Sequence, residues 1–246
     1  MIFRQLFDTE TCTFTYLIAD EASGAAALID PVREQVDRDL QLVADLGLRL
    51  AWVLETHVHA DHVTAAAILR DRTGAKTVMS RRGADCVDLH VGAGDTIRVG
   101  AIAVRVLDTP GHTDDSVSYL VGDRVLTGDA LTIRGAGRTD FQNGDPRLLY
   151  RSIIERLFTL PDDTQVYPGH DYRGQTASTI GEEKRCNPRL AGKSEDEFVA
   201  MRTARDKTLA MPRLILPSVQ INMRAGQLPP PEDNGVRYLK LPMDSF

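Results

Sequence analysis

A chain of 246 residues is long enough for one large domain, or for a domain with an appendage. Its formal charge, 29 − 35 = −6, argues against nucleic acid as a partner, because such surfaces are basic. With 42% hydrophobic residues it can bury a core, but no apolar run approaches the ~20 residues of a membrane span.

The first residues, MIFRQLFDTE, lack the basic-then-apolar build of a signal peptide. The three cysteines, Cys12, Cys86 and Cys186, form no C-x-x-C pair. The expected setting is therefore a reducing one, the cytoplasm. In chain order, Thr13–Ala19 and Ala25–Ile29 read as strands around a turn at Ala22–Gly24. Val32–Leu46 reads as a helix, since Val36, Leu40 and Val43 recur at helical spacing before Gly47. Leu50–Leu54 is a compact apolar run, expected to be a buried strand. Val63–Arg72 follows as an alanine-rich helix ended by Gly74, and Thr77–Met79 as another strand.

The second half repeats the theme. Thr96–Val99 and Ile102–Leu107 flank Gly100, and Val117–Val121 and Arg124–Leu126 flank Gly122-Asp123, both hairpin signals. Asp145-Pro146 gives an N-cap followed by proline at the first helical position. Leu149, Ile153, Ile154 and Leu157 supply that helix's apolar stripe. Two mixed halves of similar size predict an α/β protein of the αββα kind, two sheets face to face with helices outside. After residue 175 the texture changes. Ser194-x-x-Glu197 predicts a capped short helix. Pro212, Pro217 and Pro229–Pro231 predict an irregular cover over the domain.

Chemistry concentrates where strands end. Thr56-His57-Val58-His59-Ala60-Asp61-His62 lies between an apolar strand and a helix. In extended chain, residues two apart share a face, so His57 and His59 point the same way, and Asp61 and His62 fall on the turn that follows. Three imidazoles and a carboxylate in six residues suit a divalent metal and the groups that orient its ligands far better than core filling. Pro110-Gly111-His112, Gly128-Asp129 and Pro168-Gly169-His170 each end a further predicted strand. Singly these are turns; together they make a metal centre. No phosphate loop is present, and no base stands beside a cysteine. His90 reads as a surface histidine, Trp52 as core, and Cys12 as a small buried strand residue.

His57-x-His59-x-Asp61-His62, His112, Asp129 and His170, in that order, resemble the metallo-β-lactamase superfamily. The resemblance implies an αββα catalytic domain over residues 1–175, with 176–246 as an extension packed on it. Asp129–Gln142, His170-Asp171-Tyr172, Asn187-Pro188-Arg189-Leu190 and Asn222-Met223-Arg224 are similar to the persulfide dioxygenases. One departure is Ala136, where some members carry cysteine. That narrower resemblance implies one Fe(II) per chain on His57, His112 and Asp129. His59, Asp61, His62 and His170 then surround the ligands. It implies glutathione persulfide and O2 as substrates, with Arg138, Tyr172 and Arg224 as candidate glutathione contacts, since arginine grips carboxylates bidentately. Relatives also make a homodimer plausible, while charge and hydropathy already argue against a nucleic-acid or membrane partner. The same residues resemble the dinuclear zinc thioester hydrolases of the glyoxalase II type. There His57, His59 and His112 bind one ion, Asp61, His62 and His170 the other, and Asp129 bridges. A non-catalytic metal-binding or sulfur-sensing protein is the third reading. Histidine count alone does not separate them.

Overall fold

The computed structural model describes residues 1–241. Strands β1 (Ile2–Asp8), β2 (Thr13–Ala19) and β3 (Ala25–Ile29) form an antiparallel meander. Helix α1 (Val36–Asp45) crosses over to β4 (Arg49–Leu54), and α2 (Ala66–Thr73) to β5 (Lys76–Ser80). A short β6 (Leu89–Val91) completes a six-stranded sheet in sequence order, with β3 to β6 parallel. The second sheet is built from β7 (Thr96–Val99), β8 (Ile102–Asp108), β9 (Val117–Val121) and β10 (Arg124–Gly128). After the two-residue ribbon β11 (Leu131–Thr132) and β12 (Gly135–Ala136) comes α3 (Pro146–Ser152). Then β13 (Gln165–Pro168) pairs parallel to β10, and β14 (Ser178–Thr179) forms the edge.

β2 shows how the layers arise. Its side chains alternate with period two. Tyr16 and Ile18 enter the core between the sheets, against Val104, Val106 and Tyr119. Leu17 and Ala19 face the other way, into the layer under the first two helices, with Leu28, Val53 and Leu69. On the outer face of the second sheet, Val125 and Val166 pack with Leu149, Ile153 and Phe198. The layers are helix, sheet, sheet, helix, as the sequence predicts.

The differences have local causes. The predicted helix from Val32 begins at Val36, after a 3-10 turn at Arg33–Gln35. The predicted helix from Val63 begins at Ala66, because its backbone has other commitments: Val63 O accepts from Arg33 N at 2.9 Å, and Ala65 N donates to Pro31 O at 2.8 Å. Helix α3 widens into a π turn over Ile153–Leu157, still burying Ile153 and Leu157. The capped helix predicted at Ser194 is α5 (Glu195–Asp206), with Ser194 and Glu197 in a capping box; α4 (Ile180–Cys186) was not expected, and the proline-rich tail expected to be irregular contains α6 (Ile215–Asn222). Pro217 misleads because it stands in the first turn of α6, where a missing N–H costs nothing. Cys12 is a half-buried turn residue at φ +60°, just before the strand, and half-buried His90 bonds Ala84 O at 3.0 Å rather than water. No helix among the described residues is long and apolar enough to cross a membrane.

β8, β10 and β13 run in one direction, so their C-terminal ends meet at one edge. The sheets are stitched there: Phe14 N donates to Gly169 O at 2.8 Å, and the Tyr16 hydroxyl to Pro168 O at 2.5 Å.

Candidate metal centre

The loop after β4 carries His57, His59, Asp61 and His62, with all three imidazoles buried. His112 follows β8, Asp129 follows β10 and His170 follows β13. The fold thus gathers every strand-end residue singled out in the sequence. His57, His112 and Asp129 form one group whose ligand atoms lie within 4.8 Å of one another; His59, Asp61 and His62 form a second.

The atoms behind the first group decide what it can hold. Arg138 O can only accept, so His112 Nδ1 donates to it at 2.7 Å, which leaves Nε2 with its lone pair. The Thr56 hydroxyl donates to Asp30 Oδ2 at 2.8 Å, so at 2.9 Å His57 Nδ1 must donate to Thr56, again leaving Nε2 as a lone pair. Asp129 Oδ1 takes the Nδ1–H of His170 at 2.7 Å, and Asp129 Oδ2 stands 3.7 Å from His112 Nε2. Two imidazole lone pairs and a carboxylate oxygen converge with no proton between them. A cation fits that donor set. Burial, with His59 and His112 nearby, holds His57 well below the usual histidine range, and so neutral. Burial opposes ionisation of Asp129, but His170 first, then His112 and His57, hold its carboxyl well below the usual carboxylate range.

The surrounding residues are fixed as firmly. His170 lies between two carboxylates, with Nε2 at 2.5 Å from Asp61 Oδ2 and Nδ1 on Asp129. Burial opposes its charge, yet Asp129 and Asp61 raise it well above the usual histidine range. His59 Nε2 sits 3.1 Å from Asp30 Oδ1 and 3.2 Å from Glu55 Oε2. Burial opposes the His59 cation, while Asp30 and then Glu55 raise it well above the usual range. Asp30 holds this position at φ +50°, a left-handed conformation that aspartate tolerates better than most residues. His59 Nδ1 and His62 Nε2 are buried without a partner.

Above the centre opens a cavity of about 620 Å³, reaching from His112, Asp129 and His170 to Arg189, Arg205 and Arg213. Arg189 is half-buried, and its one side-chain hydrogen bond among the described residues is from Nη1 to Met201 Sδ at 3.5 Å. Burial, then Arg205, Arg202 and Arg173, make its charged form less favourable than usual. Of these neighbours Arg202 is paired with Asp206, while Arg173 and Arg205, like Arg189, form no ion pair among the described residues, which leaves the local charge positive.

The metallo-β-lactamase superfamily model matches residues 10–85 and 80–170. The persulfide dioxygenase ETHE1 of Mus musculus is 45% identical over 234 residues, covering 94% of this chain and 91% of that protein. The crystal structure of ETHE1 from Myxococcus xanthus superposes with a TM-score of 0.90 at 59% identity, over 92% of this chain and all of that one. The chain belongs to the persulfide dioxygenase family of the metallo-β-lactamase superfamily. A more distant structure, solved in a di-iron-bound form, is 28% identical, with a TM-score of 0.64 over 76% of this chain and all of that one.

As a member of the persulfide dioxygenase family, the chain distributes its predicted substrate contacts unevenly. Tyr172 lines the cavity, 74% exposed, its ring parallel to His170 with centroids 5.8 Å apart. Arg138 lines it too, but its guanidinium is committed: Nε and Nη2 to Asp140 at 2.7 and 2.8 Å, and Nη1 to Ala210 O at 2.8 Å. Arg224 is not among the cavity's lining residues. In the sequence Arg189 stands only within Asn187-Pro188-Arg189-Leu190; the fold is what brings Arg173, Arg202 and Arg205 around it.

Proposed function

We propose that the protein is an Fe(II)-dependent dioxygenase that oxidises glutathione persulfide to sulfite and glutathione, one ion per chain. The observation that supports this most directly is the convergence of His57 Nε2, His112 Nε2 and Asp129 Oδ2 on the floor of an arginine-lined cavity. Two imidazoles and one carboxylate are the donor set of non-haem iron oxygenases, with positions left for substrates. Fe(II) held there supplies the electron transfer that O2 needs to react with a closed-shell sulfur compound. The reaction balances as persulfide plus O2 plus water giving thiol, sulfite and two protons. Four electrons leave the outer sulfur and reduce O2.

The chain's own residues do the rest. Arg189, with Arg173, Arg205 and Arg213 around the cavity, binds the two carboxylates of glutathione. Tyr172 covers His170 on the solvent side. His170 holds Asp129 Oδ1, so that Oδ2 keeps its direction. Arg138 O and Thr56 fix the ring tautomers of His112 and His57.

A second reading, a dinuclear thioester hydrolase, is favoured by the unpartnered His59 Nδ1 and His62 Nε2. Metal analysis of protein purified without oxygen separates the two. One iron per chain, with oxygen uptake on adding glutathione persulfide, is the expected result. Two zincs with turnover of S-lactoylglutathione overturns it. His62→Ala should keep its iron while His57→Ala loses it. Oligomeric state, a homodimer in this reading, is measured by sedimentation, and cytoplasmic placement by cell fractionation.

A further inference from the structure

Asn222 lies far in sequence from the metal loops, yet is 1% exposed and fully engaged beneath one of them. Its Nδ2 donates to His59 O at 2.9 Å and to His62 O at 2.8 Å, and its Oδ1 accepts from Thr64 N at 3.0 Å. The loop from Glu55 to Ala65 has no helix or strand of its own. Three of its buried backbone groups would be left unpaired without this amide, each costing ~1–3 kcal/mol.

The other metal loop is held from the same part of the chain. Residues 134–139 follow Asp129 and lie directly on the ligands. A Cβ at Gly137 would stand 2.2 Å from Asp129 O and 2.9 Å from His112 Nδ1. Its backbone is gripped from outside at several points. Glu183 accepts from Arg134 N at 3.0 Å, Asn187 donates to Gly135 O at 2.9 Å, and Arg202 to Ala136 O at 3.2 Å. Asp206 Oδ2 accepts from Thr139 N at 3.0 Å and from its hydroxyl at 2.8 Å, while Asp206 Oδ1 pairs with Arg202. Between these grips stands Arg138 O, the carbonyl that fixes the tautomer of His112.

We propose that the extension from residue 176 onward is a positioning clamp for the metal centre, with Asn222 setting the His59–His62 loop and Asp206 setting the loop that orients His112. This rests on the reading that His57, His112 and Asp129 hold the ion. The clamp grips backbone atoms next to the ligands rather than the ligands themselves. Both loops depend on it, although they belong to different sheets. Metal affinity and the order of the extension are therefore coupled.

The test uses Co(II) as probe on the full chain, with affinity read by chelator competition and ligand geometry by the visible absorption band. Asn222→Asp keeps the acceptor for Thr64 N but turns a carboxylate toward two carbonyl oxygens. Thr139→Val removes the hydroxyl bond to Asp206, and Thr139→Ser restores it. Ser218→Ala is the packing control, because that buried hydroxyl on α6 has no partner. Asn222→Asp and Thr139→Val should bind Co(II) about ten- to a hundredfold more weakly, with a shifted band. Thr139→Ser and Ser218→Ala should behave as the parent. Should Asn222→Asp not fold, the Val and Ser pair at position 139 decides. Affinities within twofold of the parent and an unchanged band for the Asp206-side variant, or equal losses in Ser218→Ala, overturn the clamp. His112→Ala tests the underlying site separately. If it retains Co(II), the ion-site reading fails; if it alone loses Co(II), only the clamp does.

Discussion

Arg189→Ala should raise the KM for glutathione persulfide and leave kcat nearly unchanged. The one side-chain hydrogen bond of Arg189 among the described residues is to a sulfur at 3.5 Å, and its charged neighbours are Arg173, Arg202 and Arg205. Its fork is therefore free for a carboxylate. A hydrogen bond to a charged group is worth ~1.5–3 kcal/mol. Arg189 is only half-buried and neighbouring arginines partly replace it, so ~1–2 kcal/mol is the fairer figure. At 1.4 kcal/mol per tenfold, that is a KM rise of about 5- to 30-fold. The contact is remote from the reacting sulfur and is the same in ground and transition states, so it should appear in KM alone. Losing one of four clustered guanidiniums also relieves repulsion, so the melting temperature should not fall. Arg189→Lys keeps the charge without the fork and should lie between. Initial rates of oxygen uptake against persulfide concentration measure both constants. A KM within twofold of the parent, or a fall in kcat at constant KM, would refute the argument. Sequence alone places this effect on Arg138. The structure moves it, because all three Arg138 guanidinium nitrogens are already bonded. Arg138→Ala should instead lower metal content and kcat, by loosening the carbonyl on His112.

Gly137→Ala drives a methyl onto Asp129 O and the His112 ring, contacts that no rotamer relieves; at ~1–3 kcal/mol of overpacking, it should weaken Co(II) binding and lower the apo-protein melting temperature by about 2–4 °C per kcal/mol, and unchanged metal affinity would sink it. Thr56→Val removes the link between Asp30 and His57 and should cost about ten- to a hundredfold in metal affinity by chelator competition, whereas Thr56→Ser should retain it. Burial pushes the Asp39 carboxyl up to about 6, against the pull of Arg38. The folded form then holds its proton more tightly than the unfolded chain, with its ordinary value of 3.8. Stability is therefore lost as pH rises from about 4 to 6, and the loss persists above. Ionisation costs at most about 3 kcal/mol, from roughly two units at 1.36 kcal/mol each. Asp39→Asn should thus melt higher than the parent at pH 8 and equal to it near pH 4; equal shifts at both pH values contradict this.

The ligand loops were legible in the sequence because their chemistry is dense and local. His57, His59, Asp61 and His62 occupy six positions, and His112, Asp129 and His170 each follow an apolar strand. The layer order was legible in the two mixed β/α halves of similar size; that β2 alternates between two apolar environments is seen only in the fold. What stayed hidden is long-range. Arg173, Arg189, Arg202 and Arg205 are ordinary surface charges until α4 and α5 bring them to one cavity. Asn222 was noted only as part of a motif, because its partners at His59, His62 and Thr64 lie some 160 residues away. Asp30 ends an unremarkable strand, and only the left-handed turn there aims its carboxylate at Thr56 and His59.

The chain's net charge of −6 and the dianionic substrate proposed for it conflict only if charge is averaged over the molecule. At physiological salt, charges beyond ~8 Å are largely screened, so the substrate senses the cavity wall rather than the total. On that wall, Arg134, Arg138 and Arg202 are neutralised by Glu182 and Glu183, Asp140, and Asp206. Asp61 and Asp129 are likewise spoken for by His170. Arg173, Arg189, Arg205 and Arg213 form no ion pair among the described residues. Paired groups build the pocket, and the four unpaired guanidiniums outnumber Glu10 and Asp171, the carboxylates on the wall that form no ion pair among the described residues, and so give it its sign. If glutathione persulfide is the substrate, as proposed, a persulfide carrier without carboxylates would leave those guanidiniums unmatched and should show a higher KM in the oxygen-uptake assay; equal KM values would count against this reading.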